Sequence, residues 1–463
     1  MFAWQTFEQE EAMVENKAMN DAQSGQAKGL IDQELLDACI HCGLCLPACP
    51  TYLATGRETE SPRGRIYLIN QWQQSGRAPQ SRMVEHIDSC LGCLGCQTAC
   101  PSGVQYEKIL DQARPGLTKT KPMWKRQISR FLFAKVLPDY NLLRRLSRLL
   151  RIWQHLKGRA FLEVLAKIKF PFAGKVAVLE AFLPPVPQFQ PLPKQSWNVG
   201  KKEGKVQFFS GCVMDALYGP ANHAAVRLIR AQGQVVEVAE QTCCGALAYH
   251  AGEVDIAKQL AKGNIAAFTD KEGPIVVASA GCGAILKEYD QLLAKESDWQ
   301  QKAKQFVSRV QDISEFLSEH VFPEHVRRRA RVAAPKVAYH AACHLAHAQH
   351  VRRPPEKLLN QLLDDVKEAS GKPSFALVPL IDAEHCCGSA GIFNILHPEL
   401  SLAVLKAKMA RIKESGADLV VTGNPGCLMQ LAAGARQTPG KPIQVMHLVE
   451  LLDEAYGLAK PDD

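Results

Sequence analysis

One cysteine pattern, present twice, constrains this 463-residue chain more than any other feature. Each copy holds three cysteines spaced three positions apart, followed four positions later by a fourth cysteine and a proline. The two copies are Cys39, Cys42, Cys45 and Cys49-Pro50, then Cys90, Cys93, Cys96 and Cys100-Pro101. This spacing is typical of thiolate ligands to a pair of [4Fe-4S] clusters. It predicts a protein that carries electrons one at a time.

The fourth cysteine of each copy is expected to bind the cluster of the other copy, as it does in two-cluster ferredoxins. Cluster one is therefore assigned to Cys39, Cys42, Cys45 and Cys100, and cluster two to Cys90, Cys93, Cys96 and Cys49. A zinc ribbon and a disulfide framework are the alternatives. Zinc sites usually use two Cys-x2-Cys pairs, which would leave the third cysteine and the Cys-Pro step unexplained.

The other eight cysteines form a second repeat in the C-terminal half. Each copy has one cysteine after a predicted strand, then a Cys-Cys-Gly sequence, then a last cysteine. The two sets are Cys212, Cys243, Cys244 and Cys282, and Cys343, Cys386, Cys387 and Cys427. Such regularity indicates duplication. Predicted strands alternate with predicted helices, so each copy is expected to contain a small parallel sheet with its cysteines at the carboxyl edge.

Four thiols at one sheet edge have three interpretations. They could hold metal, with an iron-sulfur cluster favoured by soft thiolate ligands and zinc second. The adjacent cysteines could form a strained, readily reduced disulfide. They could also be inert buried cysteines, although two neighbours point in different directions and are hard to pack together. His250, His344 and His347 lie near these cysteines as candidate ligands or proton donors, or as ordinary polar residues beside a site.

Charge is concentrated in one segment. The chain has a net charge of +8, but residues 115–175 contain fifteen Lys or Arg and only two acidic residues. Apolar residues recur there at helical spacing, interrupted at Pro138 and Gly158. Such helices can lie on an anionic membrane or pack on another domain or subunit. Nucleic acid is not expected, because no readout motif accompanies the charge.

The chain is expected to lie in a reducing compartment, the cytoplasm, because no secretory signal precedes the cysteines. No run of about 18 apolar residues is present, so no segment is expected to span a membrane. Between the two cysteine loops, Ser61 is predicted to cap a helix that starts at Pro62. Arg63 and Arg65 are expected at a solvated helix start, with contact to a partner surface as the alternative.

The expected fold is α+β and multidomain: a helical dicluster ferredoxin domain followed by two duplicated α/β domains. The predicted boundaries are 1–30, a weakly ordered N-terminus; 31–114, the dicluster domain; 115–175, the basic amphipathic helices; 176–204, a Pro-rich linker; 205–334 and 335–463, the two cysteine-rich domains.

Several motifs resemble a known family. The Cys-Cys-Gly sets resemble the CCG domains of heterodisulfide reductase, and their combination with a dicluster domain resembles the glycolate oxidase iron-sulfur subunit family. The motifs include Cys39-Ile-His-Cys-Gly43, Pro62-Arg-Gly-Arg-Ile-Tyr67 and His385-Cys-Cys-Gly-Ser-Ala-Gly391. One departure is that Ile285 and Gln430 stand where the reductase has a fifth cysteine, which argues against its noncubane cluster.

The resemblance implies a subunit of a complex that oxidises glycolate to glyoxylate. Partner subunits would carry FAD, since this chain has no Gly-x-Gly-x-x-Gly turn. Two [4Fe-4S] clusters here would take electrons from the flavin, with a further cluster or zinc in each CCG domain. The acceptor would be a membrane quinone, and the protein would lie peripherally on the inner face of the cell membrane. Lactate or glycerol 3-phosphate is the alternative substrate, and a zinc-binding scaffold is the alternative role of the CCG half.

Overall fold

The computed structural model describes residues 31–156, 158–160, 180, 182–196, 204–371 and 375–458. The predicted weakly ordered segment 1–30 lies outside these residues, as do parts of the predicted basic segment and of the Pro-rich linker. The chain forms two compact units. The first contains the residues up to Cys90 and Cys96–Pro122, and the second contains Leu91–Gly95 and the residues from Met123 onward.

Short helices build the first unit. They are α1 (Gln33–Asp37), α2 (Pro50–Thr55), a 3-10 turn (Glu58–Glu60), α3 (Pro62–Ser75), α4 (Ser81–Asp88), α5 (Gly95–Thr98, whose first residue belongs to the second unit) and α6 (Tyr106–Lys119). Helix α3 begins as predicted, because Ser61 Oγ accepts a hydrogen bond from Gly64 N and Pro62 occupies the first turn. Ile66 and Ile69 of α3 pack with Ile109 and Leu110 of α6 in the core.

Two amphipathic helices open the second unit. They are α7 (Met123–Phe131), which continues into a π-helical turn (Leu132–Val136), and α8 (Tyr140–His155). The predicted interruption at Pro138 is confirmed: Asp139 caps α8 by accepting a hydrogen bond from Leu142 N. Phe133 is buried against the first cysteine-rich repeat. Arg144 of α8 forms a two-point ion pair with Asp215, at 2.8 and 3.1 Å.

The first repeat contains a sheet of order β1-β3-β2-β4-β5. Its elements are β1 (Gln195–Ser196), β2 (Lys205–Phe209), α9 (Cys212–Leu217), α10 (Gly219–Ala231), β3 (Val235–Glu237), α11 (Ala246–His250), α12 (Val254–Phe268), β4 (Ile275–Val277), α13 (Ala280–Leu286), α14 (Tyr289–Leu292), α15 (Ser297–Val307), β5 (Val310–Asp312), α16 (Ile313–Glu319) and α17 (Glu324–Arg327). Four strands are parallel, as predicted. The edge strand β1 is antiparallel to β3 and comes from the segment predicted to be a linker.

The second repeat contains a parallel sheet of order β7-β6-β8-β9. Its elements are β6 (Lys336–Tyr339), a π-helical turn (His344–Ala348), α18 (Arg353–Ser370), β7 (Ala376–Leu377), α19 (Phe393–Leu396), α20 (Pro398–Ser415), β8 (Leu419–Thr422), α21 (Pro425–Gln437), β9 (Gln444–His447) and α22 (Leu448–Ala455). The central strand β8 is buried along its whole length, as expected for a parallel strand covered on both faces.

The two repeats share one hydrophobic core. Helix α10 of the first repeat packs on α22 of the second, and α16 packs on α18. Arg227 of α10 binds both carboxylate oxygens of Asp453 in α22, at 2.9 and 2.7 Å. The strand ends also meet, because Ala280 N donates to Gly423 O at 3.0 Å. The cysteine-rich half is therefore one packed body.

Within the described ranges, the structure contains no helix of the length and apolar character needed to cross a bilayer.

Candidate metal centres

Left-handed backbone shapes both N-terminal cysteine loops. His41 and Gly43 flank Cys42 with φ values of 54° and 85°, and Gly92 and Leu94 flank Cys93 with φ values of 59° and 60°. A positive φ on both sides of a cysteine is unusual, because non-glycine residues rarely adopt this conformation. Its recurrence in the two loops indicates that their backbones follow a common local path. Each loop therefore curls tightly around its middle cysteine.

Arg63 contacts the first of these loops. Its Nη1 donates to His41 O at 2.8 Å, and its Nε donates to Glu58 Oε1 at 2.6 Å. The positive φ of Gly43 favours glycine, and a Cβ there would stand 2.8 Å from Arg63 Nη1 and displace the end of that side chain. The start of α3 thus holds the first cysteine loop in place.

Arg65 lies in the interior of the first unit, and the prediction of a solvated position is wrong. Its side chain is 1% exposed and lies 2.7 Å from Glu60 Oε2. Its Nε donates to His86 O, and its guanidinium also bonds Ser89. Burial alone would lower the pKa of Arg65, but the negative charge available at Cys90, Tyr106, Cys49 and Glu60 raises it above its ordinary value. A permanent cation therefore lies among residues predicted to bind cluster two.

The thiols of the first unit differ in burial. Cys49 and Cys96 are buried, Cys42 is exposed, and Cys39, Cys45, Cys90 and Cys100 are half-buried. Burial, followed by charge on Cys100 and Cys42, raises the pKa of Cys39, against hydrogen bonding from the His41 backbone and the charge of Arg63. Tyr106 donates its hydroxyl hydrogen to Cys90 Sγ at 3.6 Å. Cys93 belongs to the stretch Leu91–Gly95, which is grouped with the second unit.

Four thiols converge in the first repeat. Cys212 begins α9 after β2, Cys243 and Cys244 follow β3, and Cys282 lies in α13 after β4. Cys212 Sγ and Cys243 Sγ are 3.5 Å apart, and Cys244 interacts with both Cys243 and Cys282. The carboxyl ends of three neighbouring parallel strands thus bring these cysteines together, as the sequence predicts.

The second repeat builds the same arrangement. Cys387 Sγ is 3.4 Å from Cys427 Sγ, and Cys387 also interacts with Cys386 and Cys343. All four thiols are buried. Gly388 N donates to Cys386 Sγ at 3.4 Å, so this sulfur already accepts a backbone hydrogen bond of the kind that stabilises a thiolate.

The electrostatics of both groups suit a bound cation. Hydrogen bonding to Cys243 and burial raise the pKa of Cys212, whereas hydrogen bonds from Cys212 and Cys244 lower the pKa of Cys243. Hydrogen bonding to Cys386 and burial also raise the pKa of Cys343. A hydrogen bond with Cys386 lowers the pKa of Cys387, but the hydrogen bond with Cys427 and burial outweigh it and raise this pKa. Four crowded thiols cannot all ionise without a compensating positive charge, which a metal ion or cluster supplies when it binds. The donor set therefore fits a metal group.

The two positions that could have held a fifth cysteine are occupied by an isoleucine and a glutamine. Ile285 is buried in the core of the first repeat. Gln430 is also buried, and its amide donates to Ser401 Oγ at 2.8 Å. Neither side chain is a thiol ligand, so each group offers four cysteines.

His340 lies against the second thiol group, a position that the sequence reasoning missed. It is fully buried, and one ring nitrogen lies within 4.8 Å of both Cys387 Sγ and Cys427 Sγ. Neither ring nitrogen makes a hydrogen bond of normal length and angle to any residue that the structure describes. Burial and the charge of Lys408 hold the pKa of His340 well below its usual range, opposed by a weak interaction with the Ala383 backbone. The signal was available in the repeat itself, where Phe209 occupies the matching position three residues before the first cysteine.

A second difference separates the two thiol groups. Lys408 of α20 is buried and donates to the carbonyls of Asp382 and Ala383, in the loop before Cys386. In the first repeat Asn264 of α12 has the comparable place and donates to Cys243 O at 3.0 Å. Burial lowers the pKa of Lys408, whereas nearby thiols raise it. The first group is thus lined by neutral residues and the second by a histidine and a lysine.

The three histidines singled out from the sequence lie near the thiol groups, but among the described residues none of them belongs to a set of three ligand atoms within 4.8 Å of one another. His250 and His344 rings are 5.5 Å apart, and His344 Nδ1 is 3.6 Å from Cys343 Sγ. His347 Nε2 lies 3.3 Å from Glu384 O. Burial lowers the pKa of His347, against the charge of Glu384.

Two family profiles match the chain. The 4Fe-4S dicluster domain matches residues 35–104, and the Cysteine-rich domain (CCG) matches residues 206–287 and 337–432. All sixteen cysteines fall within these matches.

Whole proteins also match the chain. The chain is 36% identical over 460 residues to the probable glycolate oxidase iron-sulfur subunit of Bacillus subtilis, covering 96% of this chain and 99% of the relative. It is 31% identical over 435 residues to the glycolate oxidase iron-sulfur subunit of Escherichia coli, covering 93% and 96%. Lactate utilization protein A of Geobacillus sp. is 33% identical over 250 residues, which is 54% of this chain and 99% of that protein.

Proposed function

Because this chain belongs to the family of glycolate oxidase iron-sulfur subunits, we propose that it is the electron-transfer subunit of a flavin-dependent complex that oxidises glycolate to glyoxylate. The observation that carries the proposal is that this chain has both cysteine sets and matches one such subunit over 99% of that protein's length. Lactate is the second candidate substrate. It is less favoured because the lactate-utilisation relatives match only about half of this chain.

In this proposal the first eight cysteines hold two [4Fe-4S] clusters, which supply one-electron transfer. Cys39, Cys42, Cys45 and Cys100 hold one cluster, and Cys90, Cys93, Cys96 and Cys49 hold the other. The residues around them hold the loops and set the local charge: Arg63 fixes the first loop, and Arg65 places a buried cation beside Cys90 and Cys49.

The eight later cysteines would hold one metal group in each repeat, with an iron-sulfur cluster preferred over zinc. Metal analysis of the full-length protein, purified without oxygen, distinguishes the alternatives. About eight iron atoms and two zinc atoms per chain would indicate zinc-binding repeats, whereas iron well above eight without zinc indicates further clusters. The metal lost in Cys244→Ser is assigned to the first repeat and the metal lost in Cys387→Ser to the second, because each variant removes one thiol from one group.

The hydride step belongs to partner subunits that carry FAD, and the electrons leave toward a membrane quinone. A strain lacking this chain should lose glycolate-dependent dye reduction in extracts and regain it when the wild-type chain is restored. Lactate and glycerol 3-phosphate are assayed in parallel. Undiminished glycolate activity in the deletion strain, or a loss confined to lactate, would refute the glycolate assignment.

We place the complex on the cytoplasmic face of an anionic membrane through α7 and α8. Large apolar side chains on these helices are 45% to 71% exposed, and exposed cations accompany them. The apolar residues are Met123, Trp124, Ile128, Phe131, Leu146, Leu149 and Ile152; the cations are Lys125, Lys135, Arg145 and Arg148. An apolar stripe edged with positive charge is complementary to acidic lipid, whereas the opposite faces of the helices pack on the first repeat.

Vesicle binding tests this placement. Lys125→Glu with Arg145→Glu should weaken binding of the complex to phosphatidylglycerol vesicles about 30-fold or more, since each basic residue near the surface contributes about 1 kcal/mol. Lys271→Glu with Lys304→Glu makes the same charge change at exposed positions elsewhere and should bind normally. Arg144 is left unchanged because it pairs with Asp215. Equal binding by both double variants would favour a protein partner for this face.

A further inference from the structure

The two thiol groups are built by equivalent elements, and one of the differences between them is an aromatic residue beside the thiols. Strand β2 pairs Phe208 with Val276, and β6 pairs Tyr339 with Val421. The next residue along is Phe209 in the first repeat and His340 in the second. Both side chains are fully buried. An apolar ring in one repeat is therefore replaced by an imidazole at the same register position in the other.

We propose that His340 is a nitrogen ligand, together with Cys387 and Cys427, to one metal ion of the group held in the second repeat. The inference rests on the proposed function, in which that repeat holds an iron-sulfur cluster or zinc. It makes the second site a mixed thiolate and imidazole site, while the first site has thiolate donors alone.

Geometry supports this assignment. A tetrahedral ion bound to sulfur and imidazole nitrogen separates these atoms by about 3.6 Å. The two thiol sulfurs are already 3.4 Å apart, and a His340 nitrogen lies within 4.8 Å of each. The three atoms are therefore close to the separations that one such ion requires.

The unused hydrogen-bonding capacity of His340 supports the same assignment. A buried polar group normally has a hydrogen-bonding partner, because leaving it without one costs about 1–3 kcal/mol. Within the described part of the chain, neither nitrogen of His340 makes a hydrogen bond of normal length and angle, and the Ala383 backbone makes only a weak interaction with the ring. By contrast, the buried His447 uses both nitrogens, with Nε2 bonded to Ala278 O and Nδ1 accepting from Val449 N. A metal ligand bond would satisfy one orphaned nitrogen of His340.

The test uses the full-length protein with its metal retained, labelled with ¹⁵N-histidine. Metal analysis of wild type against Cys387→Ser first shows whether the second repeat carries metal and which element. If the metal is iron, pulsed EPR across a redox titration should show a strongly coupled histidine nitrogen. If it is zinc, zinc-edge X-ray absorption should show scattering from one imidazole ligand on the zinc that is lost in Cys387→Ser.

Variants identify the histidine. His340→Phe copies the first repeat and should abolish the nitrogen signal, whereas His344→Phe and His347→Phe should retain it. A wild-type spectrum with sulfur donors alone, a signal that persists in His340→Phe, or a signal lost in His344→Phe would overturn the assignment to His340. Identical metal content in wild type and Cys387→Ser would instead overturn the proposed metal load of this repeat. The two failures are thereby distinguished.

Discussion

Asp312 and His447 occupy equivalent places in the two repeats, each at the end of a parallel strand and at the cap of the following helix. Asp312 Oδ1 accepts from Ser314 N, and His447 Nδ1 accepts from Val449 N. Each cap is completed by a glutamate that accepts from the backbone of the capping residue, Glu315 in one repeat and Glu450 in the other. A carboxyl group and an imidazole thus cap equivalent helices. Burial shifts the pKa values of these two groups in opposite directions.

The His447 cap should make the fold less stable in acid. Burial lowers the pKa of His447 from 6.5 to about 4. The unfolded state therefore binds more protons than the folded state between these values, and stability falls as pH decreases from about 6.5 to 4, by about 3 kcal/mol. His447→Asn retains a capping oxygen without this titration. Urea midpoints measured from pH 4 to 7 should show a weaker loss in acid for this variant, and an unchanged slope would contradict the assignment.

The Asp312 cap should act in the opposite direction. Burial raises the pKa of Asp312 from 3.8 to about 6. The folded state then binds more protons than the unfolded state in this window. The contribution of Asp312 to the free energy of unfolding therefore falls as pH rises from about 4 to 6, again by about 3 kcal/mol. Asp312→Asn should steepen the rise of stability with pH, because the His447 effect is no longer offset. The double variant should regain a slope near that of wild type in the same urea series.

Removal of the Arg65 guanidinium should destabilise the first unit strongly. Arg65→Gln leaves Glu60 buried without its cation, and breaking a buried ion pair in this way costs about 3–5 kcal/mol. The measurement is the urea concentration at which the cluster absorbance of the full-length protein bleaches. Arg82→Gln changes an exposed arginine on α4 of the same unit and should shift this midpoint little. Equal midpoints for the two variants would show that the buried pair is not important for stability.

Tyr106 should tune the potential of one predicted cluster. Its hydroxyl donates to Cys90 Sγ, and hydrogen bonds to cluster sulfur stabilise the reduced, more negative state. Tyr106→Phe removes about 1 kcal/mol of this stabilisation, equivalent to about 40 mV for a one-electron couple. An EPR redox titration should show one cluster signal shifted to a more negative potential and the other unchanged. A shift of both signals, or of neither, would contradict a local effect at Cys90.

A change in α22 should loosen a helix of the other repeat. Asp453→Asn removes the carboxylate that binds Arg227, a charged hydrogen-bond pair whose loss costs about 2 kcal/mol. Hydrogen exchange followed by mass spectrometry should show faster exchange in α10 as well as in α22. The exposed neighbour supplies the control, since Glu454→Gln should leave α10 protected. Protection of α10 in Asp453→Asn would mean that the shared core alone couples the repeats.

The sequence was sufficient to predict the duplicated sheets and the convergence of the later cysteines. Both follow from local patterns: strands alternate with helices, and parallel strands bring their carboxyl ends to one edge. The cap at Ser61 was predictable for the same reason, since a serine before proline carries its own helix-start chemistry.

Arg65 and His340 show where the sequence reasoning failed. Arg65 follows a helix cap, which usually means exposure, but its partner Glu60 and the carbonyl of His86 become neighbours only after tertiary folding. His340 is one residue beyond a strand of four, and its orientation toward Cys387 depends on the register of β6 against β8. Comparison of each repeat position by position, Phe209 against His340, was the one signal that could have revealed it.

The two repeats lie in one chain and are joined by the backbone hydrogen bond from Ala280 to Gly423, and their presence in one chain has an evolutionary consequence. In a symmetric homodimer every mutation appears in both subunits, so a favourable change at one site is imposed on the other. Here the two copies are held in one chain, and they have diverged at Phe209 and His340, Asn264 and Lys408, and Asp312 and His447. Fusion has allowed each copy to specialise, and their pairing is independent of protein concentration.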